Sequence, residues 1–289
     1  MKRANLITLA IFFSFIALFS FKIINAQATR IVLDEIIEDI PEKWWEGGWD
    51  KKDELQSFIQ AHSATNREAL AKAQYWIGCN YYSQRDNEAA IAVFEELIQD
   101  YADCWFACAK ARFEIGQVYV YRIYDYDKAI VNFRKVISDY PKCEVTAQAQ
   151  RMIGYTLSQM RENEKAFIEY GKVWGNYPQA KLEIAKAYWE SGNLSFQEAL
   201  KNNISEDKKE TKLTQALSFY KQAYLYCPDE EAELAEWTVD AIVNSFKILD
   251  GNRQRADDFI RYQRYVLTGD SSLLSEGQSV AIQDPLKDF

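Results

Sequence analysis

The only imidazole in the chain is His62, and with it come five thiols: Cys79, Cys104, Cys108, Cys143 and Cys227. Such residues could make a Cys–His nucleophilic pair or a soft-metal site, because a thiolate needs a base or a cation beside it to act near neutral pH. Their spacing supports neither. His62 lies in Gln60-Ala61-His62-Ser63, which reads as a helix end where a His complements the helix dipole. Cys104 and Cys108 form CxxxC, so the CxxCH of haem attachment is absent, and one His with scattered Cys lacks zinc-ligand spacing. The chain has no Gly-rich phosphate loop, no G-x-S-x-G and no HExxH. Carboxylates are plentiful, but no pair is marked for acid–base work. The sequence nominates no catalytic, cofactor-binding or metal-ligating residue, and the expectation is a protein that is not an enzyme. A net charge of −9, a pI of about 4.9 and the lack of a long Lys/Arg stripe weigh against nucleic acid as a partner.

What the chain does repeat is a packing pattern. FEELIQDYA at 94–102, FRKVISDYP at 133–141, YGKVWGNYP at 170–178 and YKQAYLYCP at 220–228 are variants of one phrase. Ala90, Ala129, Ala166 and Ala216 each precede the leading ring, Phe94, Phe133, Tyr170 or Tyr220, by four residues. Residues four and three apart share a helix face, so each copy is a helix with a close-contact Ala and a space-filling ring. Pro141, Pro178 and Pro228 then end it, since Pro cannot continue the turn. Upstream, Ile77-Gly78, Ile115-Gly116, Ile153-Gly154 and Ile184-Ala185 mark a second, earlier helix per copy. Gly in a helix costs about 1 kcal/mol relative to Ala and persists where a side chain would block a helix contact. Polar turns at 83–87, 125–127 and 161–163 separate the two helices. Two antiparallel helices per unit, repeated, predict an all-α solenoid.

The stretch YPKCEVTAQAQRMIGYTLSQMRENEKAFIEYGKVWGNYP, with Gly154, Ala166, Tyr170 and Pro178 in place, resembles a tetratricopeptide repeat. The resemblance covers about residues 70–230. Its wording is similar to exported bacterial repeats such as those of outer-membrane assembly lipoproteins and the Tol–Pal accessory protein. It implies a right-handed superhelix whose first helices line a concave groove. By register that groove presents Tyr75, Tyr82, Phe113, Tyr121, Tyr155, Leu182 and Trp189, interleaved with Lys72, Lys110, Gln117, Gln148, Arg151, Gln159 and Lys186. Rigid rings with polar tips suit peptide or sugar contact. The Lys/Asn clamp of chaperone-binding repeats is missing, since Cys79 stands where Asn is wanted.

The remaining organisation follows from composition. Lys2 and Arg3, the apolar run Leu6–Phe21 and the small residues around Ala26 and Ala28 predict a signal peptide over 1–28, hence an exported, periplasmic or extracytoplasmic chain with no membrane span after cleavage. Residues 29–54 form an acidic extension containing Trp44, Trp45 and Trp49. The solenoid occupies 55–268, with four clear repeats, capping helices and a polar insertion near 193–214. A flexible tail follows at 269–289. The functional expectation is a protein–protein interaction scaffold in the cell envelope, binding partner proteins or peptides through the aromatic groove. The alternatives are a glycan- or peptidoglycan-binding module and an accessory subunit of an envelope enzyme complex.

Overall fold

The computed structural model describes Lys51–Ala61 and residues 67–250. The apolar run Leu6–Phe21, the Trp44–Trp49 segment, His62, the Phe259-Ile260 pair and the tail lie outside those residues. Ten α-helices and no strand occur among the described residues. They are α1 (Lys51–Ala61), α2 (Arg67–Ser83), α3 (Asn87–Asp100), α4 (Trp105–Val118), α5 (Tyr126–Asp139), α6 (Glu144–Gln159), α7 (Asn163–Asn176), α8 (Lys181–Ala199), α9 (Glu206–Tyr226) and α10 (Ala232–Asp250), with a π-helical turn at Tyr119–Ile123 after α4. The helices pack in consecutive pairs, giving the all-α repeat architecture expected. Two compact units divide between Ala111 and Arg112, within α4.

Each pair is locked by one contact. A Cβ placed on Gly78 would run into the ring of Phe94. On Gly116 it would stand 2.5 Å from the ring of Phe133, on Gly154 2.7 Å from Tyr170, and on Gly192 2.5 Å from Tyr220. The rings are almost wholly buried, and Ala90, Ala129, Ala166 and Ala216, one turn earlier, are fully so. The first helix thus gives up a side chain, and the second helix fills the space with a ring. The four glycines recur every 38 residues. The fourth contact departs from expectation. Ala185 is buried, but the ring of Tyr220 lies over Gly192, and its hydroxyl donates to Asn193 Oδ1 at 2.7 Å. The polar stretch near 193–214 explains the shift. Its extra residues lengthen α8 and α9 at their joined ends, so the ring meets the first helix farther along.

The turns between paired helices follow one plan. Arg85, Tyr124 and Arg161 are left-handed, with φ near 60°. In each case the next residue donates its N–H back to the first helix, Asp86 to Tyr81, Asp125 to Tyr119 and Glu162 to Leu157, at 2.9–3.0 Å. Asp86 and Asp125 then accept the N–H of Ala89 and Lys128 at 3.1 Å, capping the second helix. The second copy has one residue more between glycine and ring than the first or third. The π turn at Tyr119–Ile123 takes up that residue, as an i to i+5 bond lets a helix absorb a single insertion. At the start of α6, Cys143 is held by Thr146 rather than by its thiol. Its N–H donates to Thr146 Oγ1, which donates to the Cys143 carbonyl, both at 2.8 Å.

This packing leads to three predictions. Gly154→Ala should destabilise unit 2 by about 1–3 kcal/mol through overpacking, and Phe133→Ala by about 3–5 kcal/mol through the cavity it leaves. Urea denaturation followed by circular dichroism measures both. Deleting one residue within Tyr119–Ile123 should leave the fold intact with that turn converted to α, which amide exchange of the turn reports.

Candidate functional site

The residues that the sequence places on a binding face fall into two groups, one in each unit. In unit 1, α2 and the start of α4 enclose a pocket of about 480 Å³ lined by Arg67, Lys72, Tyr75, Trp76, Cys104, Trp105, Phe106 and Lys110, among others. Its walls are aromatic. Tyr75 and Trp76 meet edge to face with centroids 5.3 Å apart, and Trp105 and Phe106 do the same at 5.6 Å. Tyr75 also backs onto the core ring of Phe94 at 5.9 Å, so its position follows from the glycine contact beneath it. Trp105 and Phe106 remain 43% and 45% exposed, unusual for adjacent large rings. The Lys110 ammonium sits 5.3 Å from the Phe106 ring centroid and 5.9 Å from that of Tyr75, a cation held between two π faces.

The rim of this pocket is fixed by Arg67. Its guanidinium makes a fork to Asp103 at 2.6–3.0 Å and donates to the Asp100 carbonyl at 2.6 Å. Hydrogen bonding from Arg67 holds the Asp103 carboxyl below its ordinary range. Burial and then the Asp103 charge push the Cys104 thiol up. Asp103 pairs with Arg67 and Glu68 also lines the pocket, so what it offers beside the rings is the positive charge of Lys72 and Lys110, which suits an apolar side chain accompanied by a carboxylate.

In unit 2 the expected face is built differently. Tyr121 is 40% exposed, and its ring lies 5.8 Å from that of Tyr155. Arg151, expected to meet a partner, is instead engaged within the fold. Its Nε donates to Glu183 Oε2 at 2.6 Å and its NH1 to Glu190 Oε1 at 2.5 Å. Lys186 adds an ion pair to Glu183 at 3.7 Å. The bridge ties α6 to α8, the first helices of successive pairs. Phe113 does not face a groove either: it is buried, 5.5 Å from Phe133. Trp189 packs half-buried against the core of α9 and α10, 5.9 Å from Trp237. Tyr82 is half-buried near the end of α2 and does not line the unit 1 pocket.

Nothing in the residue pattern singles out Glu183 and Glu190, because buried and solvated carboxylates look alike along a helix. It also missed a cleft of about 1030 Å³ in unit 2, where Cys143, Tyr177, Leu182, Tyr226 and Cys227 meet at helix ends. All five cysteines are present as thiols, and burial raises that of Cys227. Among the described residues no cluster of three His, Cys, Asp or Glu could hold a metal ion. No helix of the described residues is long and apolar enough to cross a membrane.

The Arg151 cluster generates a prediction. Burial would lower the Arg151 pKa, but Glu190 and Glu183 more than offset this and raise it. Glu190 is raised, chiefly by burial, against the pull of Arg151. A carboxyl whose folded pKa exceeds its unfolded one contributes stability that is complete below the unfolded value, about 4.3. That contribution is lost as pH rises through the raised folded value. Glu190→Gln should therefore gain stability relative to wild type as pH rises from about 4, and parallel pH–stability curves would contradict this. Arg151→Ala should cost about 3–5 kcal/mol at neutral pH by stranding two buried carboxylates.

Comparison with known proteins agrees with the helix pairs. The family model of the tetratricopeptide repeat matches residues 72–103 and 110–142. These are the pairs α2–α3 and α4–α5, whose glycine–ring contacts recur at Gly154 and Gly192. A comparison with curated proteins returns no significant match. Repeats of this kind generally serve as scaffolds for protein–protein interaction and are typically non-enzymatic. The described residues are thus all-α, and two of their helix pairs match the tetratricopeptide repeat model.

Proposed function

We propose that this protein is a non-enzymatic interaction scaffold of the cell envelope, and that it holds partner proteins through peptide segments bearing aromatic and acidic side chains. The observation that carries this reading is the unit 1 pocket, where Trp105 and Phe106 stand exposed beside Lys110. Rings fixed by packing offer apolar contact at low entropy cost, and a Lys set between them selects for carboxylates. The export half of the proposal rests on Lys2, Arg3 and the apolar run Leu6–Phe21.

Crosslinking in the source cells, followed by capture of wild type and of a Phe106→Ala/Lys110→Glu variant, tests the proposal. Specific proteins should be retained by wild type and lost from the variant, whose melting temperature should fall little because Phe106 is half exposed. Salt should weaken the wild-type complex, since charge contributes. If no protein depends on these residues but muropeptide binding does, the glycan reading replaces this one. Fractionation that finds the native protein in the cytoplasm would overturn the location.

A further inference from the structure

We infer that the chain's own acidic tryptophan segment, Asp34–Trp49, docks in cis into the unit 1 pocket and competes there with external partners. This rests on the reading of that pocket as a peptide site.

Three observations converge on the segment. The first is chemical match. Between Asp34 and Asp50 seven carboxylates stand against one Lys, and three Trp fall within six residues. The pocket presents the exposed rings of Trp105 and Phe106 with the ammonium groups of Lys110 and of Lys72 at its edge, against one remaining lining carboxylate, Glu68, since Asp103 is taken up by Arg67. Three Trp are more apolar area than a solvated segment leaves in water.

The second is reach. α1 runs antiparallel to α2: Lys52 lies over the Tyr81 ring at 4.6 Å, and Leu55 packs with Ala73 and Ile77. The segment therefore joins the fold beside the far end of α2. Returning from Tyr81 to Lys72 covers about 14 Å at helical rise. Six extended residues from Lys51 back to Trp45 cover about 20 Å. The third is continuity. Trp76 both lines the pocket and packs against the core formed by α1 and α2, so the pocket wall adjoins the helix that the segment leads into.

An occupant tethered by so few residues acts at an effective concentration in the millimolar range, so modest intrinsic affinity suffices for occupancy. External partners then bind by displacement.

The test places a photoreactive p-benzoylphenylalanine at position 106 in the full chain, followed by irradiation, digestion and mass spectrometry. Expected are crosslinks to the peptide spanning 34–49 within the same chain, with a yield independent of protein concentration. Lys72→Glu/Lys110→Glu should cut that yield several-fold. Trp44→Ala/Trp45→Ala should raise capture of the partner proteins several-fold. Crosslinks between two chains, or none to residues 34–49, overturn the inference. If cis crosslinks are absent while Phe106→Ala still abolishes partner capture, only the autoinhibitory docking falls and the pocket stands as a partner site. If the cis crosslink forms but partner capture ignores Phe106, docking is supported and the partner-site reading fails.

Discussion

The architecture depends on a ring seated on a bare helix backbone. At Gly78, Gly116, Gly154 and Gly192 the first helix presents no side chain, and a ring from the second helix takes the place one would occupy. This fixes how far apart the paired helices stand and how one slides along the other. A Cβ on any of the four would meet the ring well inside van der Waals contact, so the glycine is required for proximity and not for backbone freedom. Its helix-propensity cost of about 1 kcal/mol per position is small beside the burial of a Phe or Tyr.

The contact also explains which changes in length the chain absorbs. One extra residue in the second copy is taken up by the π turn before α5, which keeps Phe133 over Gly116. The larger excess in the fourth copy is taken up by longer α8 and α9, which keeps Tyr220 over Gly192. In both, the ring and its glycine meet while the connection changes. The 38-residue spacing of the glycines survives because the step from Phe133 to Gly154 is one residue shorter than the steps from Phe94 to Gly116 and from Tyr170 to Gly192, and the larger excess follows the last glycine.

Much of the fold was legible in the sequence, because the contact leaves a residue-type signature at fixed spacing. Gly78, Gly116 and Gly154, with their alanines, rings and prolines, could be read directly. The fourth copy misled because Ile184-Ala185 repeats the local phrase, while Ser191-Gly192 makes the contact. Which of two small residues meets a ring depends on helix length, and that is set by packing of the inserted residues. The binding face was less legible. Helical register puts Phe113, Arg151 and Trp189 on the same side as Tyr75 and Tyr121, but it carries no information about neighbours. Phe113 is covered by Phe133, and Arg151 is consumed by Glu183, only 1% exposed, and Glu190. Trp105 and Phe106 went unnoticed because an exposed ring and a buried one look the same in a helical pattern.

The same contact connects fold to surface. Tyr75 backs onto Phe94, so the wall of the unit 1 pocket is anchored to the ring that covers Gly78. A double-mutant cycle between Gly116→Ala and Phe133→Leu tests the central claim most directly, with stabilities from urea unfolding. If the ring on the bare backbone sets the pair, the smaller Leu makes room for the added methyl, and the alanine costs less in the Leu background than in wild type. The expected coupling is about 1 kcal/mol or more. Strict additivity would show that Gly116 and Phe133 do not constrain one another, and would contradict the account.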